Sequence, residues 1–303
     1  MEVSGSILTK VIEKLAIFQM KLWIDTDAGI DDSTAILIAL AAPNVEIVGI
    51  SCVGGNAHLE NVVKNVNRTL LVFGKRPGID IPIFAGCSKA LIQPHMVIPE
   101  IHGNDGLGDI NNSDFDIHEE HYDYVKNKHA VNALIEYVTL HPNDELVLLT
   151  LGPLTNIALA IRMGEQELIK GISKIVVMGG AEDGIGNISE YAEFNIRCDP
   201  EAAQIVFSTF PQDRIVMSSW TLTQKFSFKT KEDLDKYQGN TTNTILGKWI
   251  HDTWQYVLDF THGDMLMADP LASFVTCYPQ YITEVEKSTI NIVLSGEKIG
   301  LTE

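Results

Sequence analysis

The chain has 303 residues, 45% of them hydrophobic, enough for one large α/β domain or two average ones, either able to bury a full core. Its 22 Lys and Arg against 40 Asp and Glu leave a net charge of −18, which argues against nucleic acid or an anionic membrane as partner, since both need clustered cations. The four cysteines, Cys52, Cys87, Cys198 and Cys277, are scattered and form no C-x-x-C pair, so they read as reduced thiols of a cytoplasmic protein.

The first 19 residues are interrupted by Lys10, Glu13 and Lys14 and lack a signal-peptide core, so residues 1–20 are expected to be an extension outside the fold. No apolar run reaches the roughly 18–20 residues of a membrane span. From Lys21 a short apolar run predicts a buried strand, a turn at Ala28-Gly29 follows, and an apolar segment of helical length runs to Leu40. Val45 to Val53 reads as a second strand ending in Gly54-Gly55-Asn56, residues 59–73 as a helix, and Ile81 to Phe84 as a short strand. Residues 86 to about 128 carry Pro94, Pro99, Gly103, Gly106 and Gly108 and read as irregular; a loop that long is usually functional.

Alternation resumes with a helix near 129–140, a strand over Glu145 to Thr150, and the turn Leu151 to Asn156 opening the next helix. Strands follow at Lys174–Met178 and Arg214–Met217, with helices near Pro200, over 231–262 and from Asp269, and a late strand over Thr283 to Leu294. This alternation predicts a single open, mostly parallel sheet with helices on both faces, built by residues 21–303 as one domain. Ligands in such sheets bind at the carboxyl ends of the strands, where the Gly-rich and polar motifs fall.

Four carboxylates, Asp25, Asp27, Asp31 and Asp32, fall within eight residues where the first strand becomes helix. The helix N-terminus stabilises Asp31 and Asp32 by only about 0.3–1 kcal/mol per exposed charge, too little for the cluster, and a hard cation is the natural remainder. The plain alternative is that Asp31 and Asp32 only cap the helix. Thr155 and Asn156 are likewise read first as caps, and an alternative for Glu193 with Asn195 is the two exposed positions of an edge strand.

The D-x-D-x-x-x-D-D stretch resembles the signature of the inosine-uridine-type nucleoside hydrolases. A competing reading, the magnesium-dependent dehalogenase-type phosphatases, wants Thr or Val where Gly29 stands. Further matches to the hydrolases follow in order: Gly55-Asn56, His102 to Gly108, Leu151 to Asn156, Val177 to Gly180, Ala192 to Asn195, Asp199 to Ala203, and Asp269-Pro270. The resemblance implies a Rossmann-like fold and hydrolysis of the N-glycosidic bond of a ribonucleoside, by a homodimer or homotetramer. It implies calcium (Ca2+) held by Asp27, Asp32, Asp269 and the backbone carbonyl of Leu151. Asp27 would be the general base, Asp25 would orient the ligands, and Asp31, Asn56, His102, Asn187, Glu193 and Asn195 would hold the sugar.

Two departures stand out. Where the family commonly has a His before the last calcium Asp, this chain has Ala268, so turnover is expected to favour nucleosides whose base departs readily; the alternatives are a substitute acid, with His251 and His262 the first candidates, or an impaired member that only binds nucleoside. Trp220, Trp254, Tyr256 and Phe260 are aromatics available for stacking on a base. The family also usually continues beyond Gly296, so the C-terminal end is expected to be incomplete.

Overall fold

The computed structural model describes residues 20–74, 80–110, 125–226, 244–261 and 266–303. Strand β1 (Met20–Thr26) is apolar toward both sides, and the two-residue period of a strand divides it. Leu22 and Ile24 join one buried cluster and Trp23 joins the other, so cores lie on both faces of the sheet. Met20, assigned to the extension from sequence, already pairs with Val45. Residues 1–19 lie outside the described residues.

The chain continues through α1 (Ile30–Ala41), β2 (Val45–Cys52), α2 (Leu59–Phe73) and β3 (Ile83–Ala85). A short helix α3 (Pro99–His102) and strand β4 (Val125–Lys126) interrupt the stretch expected to be irregular, of which residues 111–124 lie outside the described residues. Then come α4 (Ala130–Leu140), β5 (Leu146–Thr150), α5 (Thr155–Gly171), β6 (Ile172–Met178), α6 (Phe194–Cys198) and α7 (Pro200–Thr209). The series closes with β7 (Ile215–Ser218), α8 (Trp220–Phe226), α9 (Ile245–Phe260) and α10 (Ala268–Cys277). The helix expected over 231–262 is described only from Thr244 to Thr261, as α9 and its two flanking residues; the rest of it, His262 included, lies outside the described residues.

The seven strands are ordered β4-β3-β2-β1-β5-β6-β7, and every pair is parallel. The chain builds outward from β1 on one side, then crosses back to β5 and builds outward on the other. At β1 and β5 the strand order therefore reverses, and the loops leaving their carboxyl ends diverge to leave a crevice. Helices α1, α2 and α10 bury their apolar sides on one face of the sheet, and α4, α5 and α7 on the other.

The late strand over Thr283–Leu294 is not part of this sheet. Residues 282–290 take no helical or strand pairing, and Val285 is 70% exposed. Only 291–293 pair, antiparallel with 301–303, through Asn291 N–H to Glu303 O at 2.7 Å and Glu303 N–H to Asn291 O at 2.9 Å. Of the apolar residues that suggested a strand, Ile292 alone is fully buried, since no sheet edge stands beside the others to cover them.

Candidate active site

β1 delivers Asp25 and Asp27 to the crevice, and both are fully buried. Asp25 Oδ1 accepts from the Ser51 hydroxyl and from Asn156 Nδ2 at 2.8 Å, while Oδ2 has no partner. Ser51 itself accepts from the Trp23 indole N–H at 3.0 Å, a group that can only donate, so the one Ser51 proton is directed to Asp25. Burial pushes Asp25 up to about 7, opposed by these two donors.

Asp27 Oδ2 accepts from the backbone N–H of Asn56 at 2.7 Å, and Oδ1 is buried without a partner. A Cβ at Gly55 would fall 2.1 Å from Oδ2, and one at Gly152 would fall 2.8 Å from Oδ1. Both loops close on Asp27 only because they carry glycine there.

Asp31 and Asp32 lie in the first turn of α1, where the helix N-terminus favours negative charge. Asp32 does cap the helix, accepting from Gly29 N–H at 2.9 Å, but it also accepts from Thr26 Oγ1 and from Asn56 Nδ2 at 2.9 Å. Asp269 sits in the first turn of α10, which Ser273 Oγ ties to the Ala35 carbonyl of α1 at 2.7 Å. Carboxylate oxygens of Asp31, Asp32 and Asp269 consequently come within 4.8 Å of one another, although 237 positions separate Asp32 from Asp269 (269 − 32). Burial first, and then the charge of Asp32, pushes Asp31 up to about 7 and lifts Asp27 and Asp269 well above the carboxylate range.

A cluster this crowded resists full ionisation unless a positive charge joins it. The orphaned oxygens Asp27 Oδ1 and Asp269 Oδ1 and the all-oxygen donor set fit a hard divalent cation. Asp31 joins Asp32 and Asp269 in this group of oxygens, and Asp27 lies close enough to feel the charges of Asp32 and Asp31. The Leu151 carbonyl, expected as a ligand, accepts from Asn195 Nδ2 at 2.7 Å, which leaves it a second lone pair.

The expected sugar-binding residues separate into two sets. Asn56 is buried and bridges Asp27 to Asp32, so it is part of the acidic floor. His102 is also buried there: its Nδ1 accepts from Ile30 N–H at 3.2 Å, which places its proton on Nε2. Burial lowers its pKa to about 4, against the pull of Asp32, so the ring is neutral. Glu193 and Asn195 are not edge-strand positions; they open α6 and are buried, and the Glu193 carboxylate accepts from the N–H groups of Asn195, Ile196 and Gly180 at 2.9–3.2 Å. Burial raises Glu193 to about 7 despite those bonds. Asn187 stands apart, exposed on the loop after β6, with its Oδ1 accepting from Phe194 N–H at 2.8 Å.

Several structural roles were missed. Thr155 and Asn156 do not cap α5: Thr155 Oγ1 donates to Asp199 at 2.7 Å, and Asn156 joins Asp25 to Cys52 O and to the N–H of Cys87. A helix opening straight after a Gly-Pro turn was the only sequence signal, and it favoured capping. Asn65 of α2 holds the Ala28 carbonyl at 3.1 Å and that of Asp105 at 2.8 Å, pinning the acidic turn to the loop after α3. Nothing in its helical periodicity marks it out. Among the aromatics, Trp254 is core, donating to Thr34 Oγ1 at 2.9 Å; Tyr256 donates to the Pro99 carbonyl at 3.1 Å; and Phe260 is 50% exposed.

Comparison with known proteins identifies a family and a fold. Residues 22–302 match the family described as inosine-uridine preferring nucleoside hydrolase. The inosine-uridine preferring nucleoside hydrolase of Crithidia fasciculata is 32% identical over 288 residues, covering 93% of this chain and 86% of that one. Uridine nucleosidase 1 of Arabidopsis thaliana is 33% identical over 285 residues, covering 93% and 81%. Among solved structures, the purine-preferring ribonucleoside hydrolase of Gardnerella vaginalis superposes with a TM-score of 0.81 at 30% identity, covering 93% of this chain and 87% of that one.

Proposed function

This chain belongs to the inosine-uridine preferring nucleoside hydrolase family and is an enzyme that hydrolyses ribonucleosides to base and ribose, and from that premise we propose that Asp27 is the general base of the reaction, in a calcium site shared with Asp32, Asp269 and the Leu151 carbonyl. The observation that supports this reading most is Asp27 itself. One carboxylate oxygen is locked by the Asn56 N–H, and the other is buried, unpartnered and free to take a proton from water.

Breaking the N-glycosidic bond builds positive charge on the ribose, an oxocarbenium-like state of the kind glycosidases share. The carboxylates of the floor face that charge. A cation bound among Asp27, Asp32 and Asp269 supplies charge that lets them stay ionised and acidifies water at its surface. Asp31 stands close enough to reach the same ion or a ribose hydroxyl. Asn56 and Asp25 fix Asp27 and the strand end beneath it. Asn195 and Glu193, held by backbone N–H groups and by the Leu151 carbonyl, present a rigid polar wall for the other ribose hydroxyls, and Asn187, bound to the Phe194 N–H, stands at the exposed edge of that wall. The neutral His102 adds an Nε2–H donor.

The relatives act on inosine and uridine, on uridine, or on purine ribonucleosides according to their names, so the base is not inherited from the family. Release of base and ribose from a nucleoside panel, before and after chelation and with calcium or magnesium restored, tests the reading. Calcium-restored turnover that Asp27→Asn abolishes is expected; turnover indifferent to chelation overturns the metal assignment. A homodimer or homotetramer is proposed by analogy with the family, with light scattering as the check. Among the described residues no helix is long and apolar enough to cross a membrane.

A further inference from the structure

Ala28, in the middle of the acidic turn, has φ +36°, a left-handed conformation that an alanine left to itself avoids by a population factor of about 5–30. The residue is fully buried, and both of its peptide groups are held. Its N–H donates to Thr26 Oγ1 at 3.0 Å, and its carbonyl accepts from Asn65 Nδ2 at 3.1 Å. A trans peptide points its C=O and N–H in opposite directions. With the Ala28 carbonyl turned to Asn65, the Gly29 N–H of the same peptide is turned to Asp32 Oδ2, at 2.9 Å. Thr26, accepting from Ala28, gives its own proton to Asp32 Oδ1. The left-handed turn thus aims two of the three donors that orient Asp32; the third is Asn56 Nδ2.

Asn65 reaches the turn from α2 and is itself buried. Its second amide proton goes to the Asp105 carbonyl at 2.8 Å, so a single nitrogen serves two carbonyls, which fixes the amide with its NH2 toward the turn. Asp105 belongs to the loop after α3, whose His102 accepts from the Ile30 N–H at 3.2 Å. That loop therefore grips the acidic turn on both sides of Gly29, through Asn65 at Ala28 and through His102 at Ile30. The approach is close at each point. A Cβ at Gly106 would lie 2.8 Å from Asn65 Nδ2, and one at Gly29 would lie 2.6 Å from His102 Nδ1.

We propose that Asn65 is a positioning residue for the cation site, holding Ala28 left-handed so that Asp32 is aimed before the ion arrives. This rests on the calcium reading given above. Asn65 touches neither ion nor nucleoside; it acts through the peptide between Ala28 and Gly29. Without its two donors the turn is free to leave the left-handed region. Calcium then binds only the fraction of molecules still in that conformation, and the apparent Kd rises by the inverse of the fraction.

The test is calcium titration of the metal-free protein. Asn65→Leu keeps a side chain of similar size and removes both donors, and its calcium Kd is expected to rise by about 5–30-fold. Asn65→Ala, which crowds nothing, gives the same result should the leucine variant fail to fold. Adding Ala28→Gly to either should return most of the loss, because glycine enters the left-handed region at no steric cost. Thr69→Val is the control: Thr69 Oγ1 donates to the Asn65 carbonyl at 2.8 Å one turn along α2, so its loss weakens the same helix and should leave the Kd at the wild-type value. Turnover of p-nitrophenyl riboside, whose leaving group departs without a proton, should fall in Asn65→Leu at low calcium and recover its kcat at saturating calcium, since the ion selects the left-handed turn. Unchanged affinity in the Asn65 variants, no rescue by Ala28→Gly, or an equal loss in Thr69→Val overturns the proposal and leaves the calcium reading standing. Wild-type protein that binds no calcium removes both.

Discussion

The floor of the site and its rim are built in opposite ways. At the floor, between the ends of β1, β2 and β5, Asn56 ties Asp27 to Asp32 through bonds of 2.7 and 2.9 Å, Thr26 and Gly29 N–H add donors to Asp32, and Asp25 beneath is held by Ser51 and by Asn156 at 2.8 Å. Along the rim, formed by residues 92–98 and the end of α9, Ile92 is 73% exposed and Phe260 50%, although the body of α9 is anchored by the buried Trp249 and Trp254. The described ties there are single bonds such as Gln93 to Glu201 at 2.8 Å. A rigid floor suits a ribose and a cation, whose geometry does not vary between nucleosides. A lightly tied rim suits the base, which does vary. The difference assigns chemistry to the floor and selection to the rim, and it can be broken by substitutions on either side.

The largest effect is expected at Asp27. Asp27→Asn keeps the volume and the Asn56 contact but loses the basicity, so kcat should fall by roughly 10²–10⁴-fold for every substrate, the nitrophenyl riboside included. Base release and calcium retention are measured together. A uniform loss with calcium still bound supports the division between floor and rim; a loss confined to one base would abolish it.

Asn156 comes next. Asn156→Ala strands the Cys87 N–H and removes one of the two donors to Asp25 Oδ1, while the Cys52 carbonyl keeps the Gly86 N–H; a buried unsatisfied group costs about 1–3 kcal/mol. A fall in the urea midpoint of that order is expected, with loss of activity on all nucleosides alike. Because this one side chain also pins the start of the 86–98 segment, a change in base preference would show that the rim depends on the floor.

Glu193 gives a pH signature. Its folded pKa is raised from 4.5 to about 7, so the folded state holds the proton that the unfolded chain gives up. Its contribution to stability is therefore complete below about pH 4.5 and is lost as pH rises to about 7. Glu193→Gln should flatten that part of the melting-temperature profile while lowering stability overall, since an amide cannot accept on both sides from the α6 N–H groups. An unchanged profile would mean that Glu193 is already ionised in the folded protein.

Much of the floor was legible in the sequence because carboxylates are seldom crowded without reason. Asp25, Asp27, Asp31 and Asp32 stood at a strand-to-helix junction, and the ordered motifs added Asp269 from far along the chain. The strand and helix assignments held where apolar runs were long, as at 45–52 and 59–73. They failed at 283–294, where alternating apolar residues had no sheet edge to join; the edge-strand alternative for Glu193 and Asn195 falls as well, because a short helix N-terminus mimics strand alternation. The supporting residues Ser51, Asn65 and Asn156 were silent, because a buried hydrogen bond across 26 to 131 positions leaves no local pattern.

The smallest effect tests the joint between the two regions. Trp254 of α9 is buried against α1 and donates its indole N–H to Thr34 Oγ1 at 2.9 Å, two residues beyond Asp32. Trp254→Phe keeps an aromatic ring in the core and removes that bond, which should cost about 0.5–1.5 kcal/mol, plus the smaller ring's lost packing. If floor and rim are separable, calcium affinity and turnover of p-nitrophenyl riboside stay near wild type, because Asp32 keeps its bonds to Thr26, Gly29 and Asn56. The change should instead appear in KM for inosine and uridine, as α9 loosens against the loop that Tyr256 holds at Pro99. Isothermal titration with calcium and steady-state kinetics on the same preparation decide the matter. A parallel drop in calcium affinity would mean that α9 positions the first turn of α1, and the two regions would then have to be treated as one.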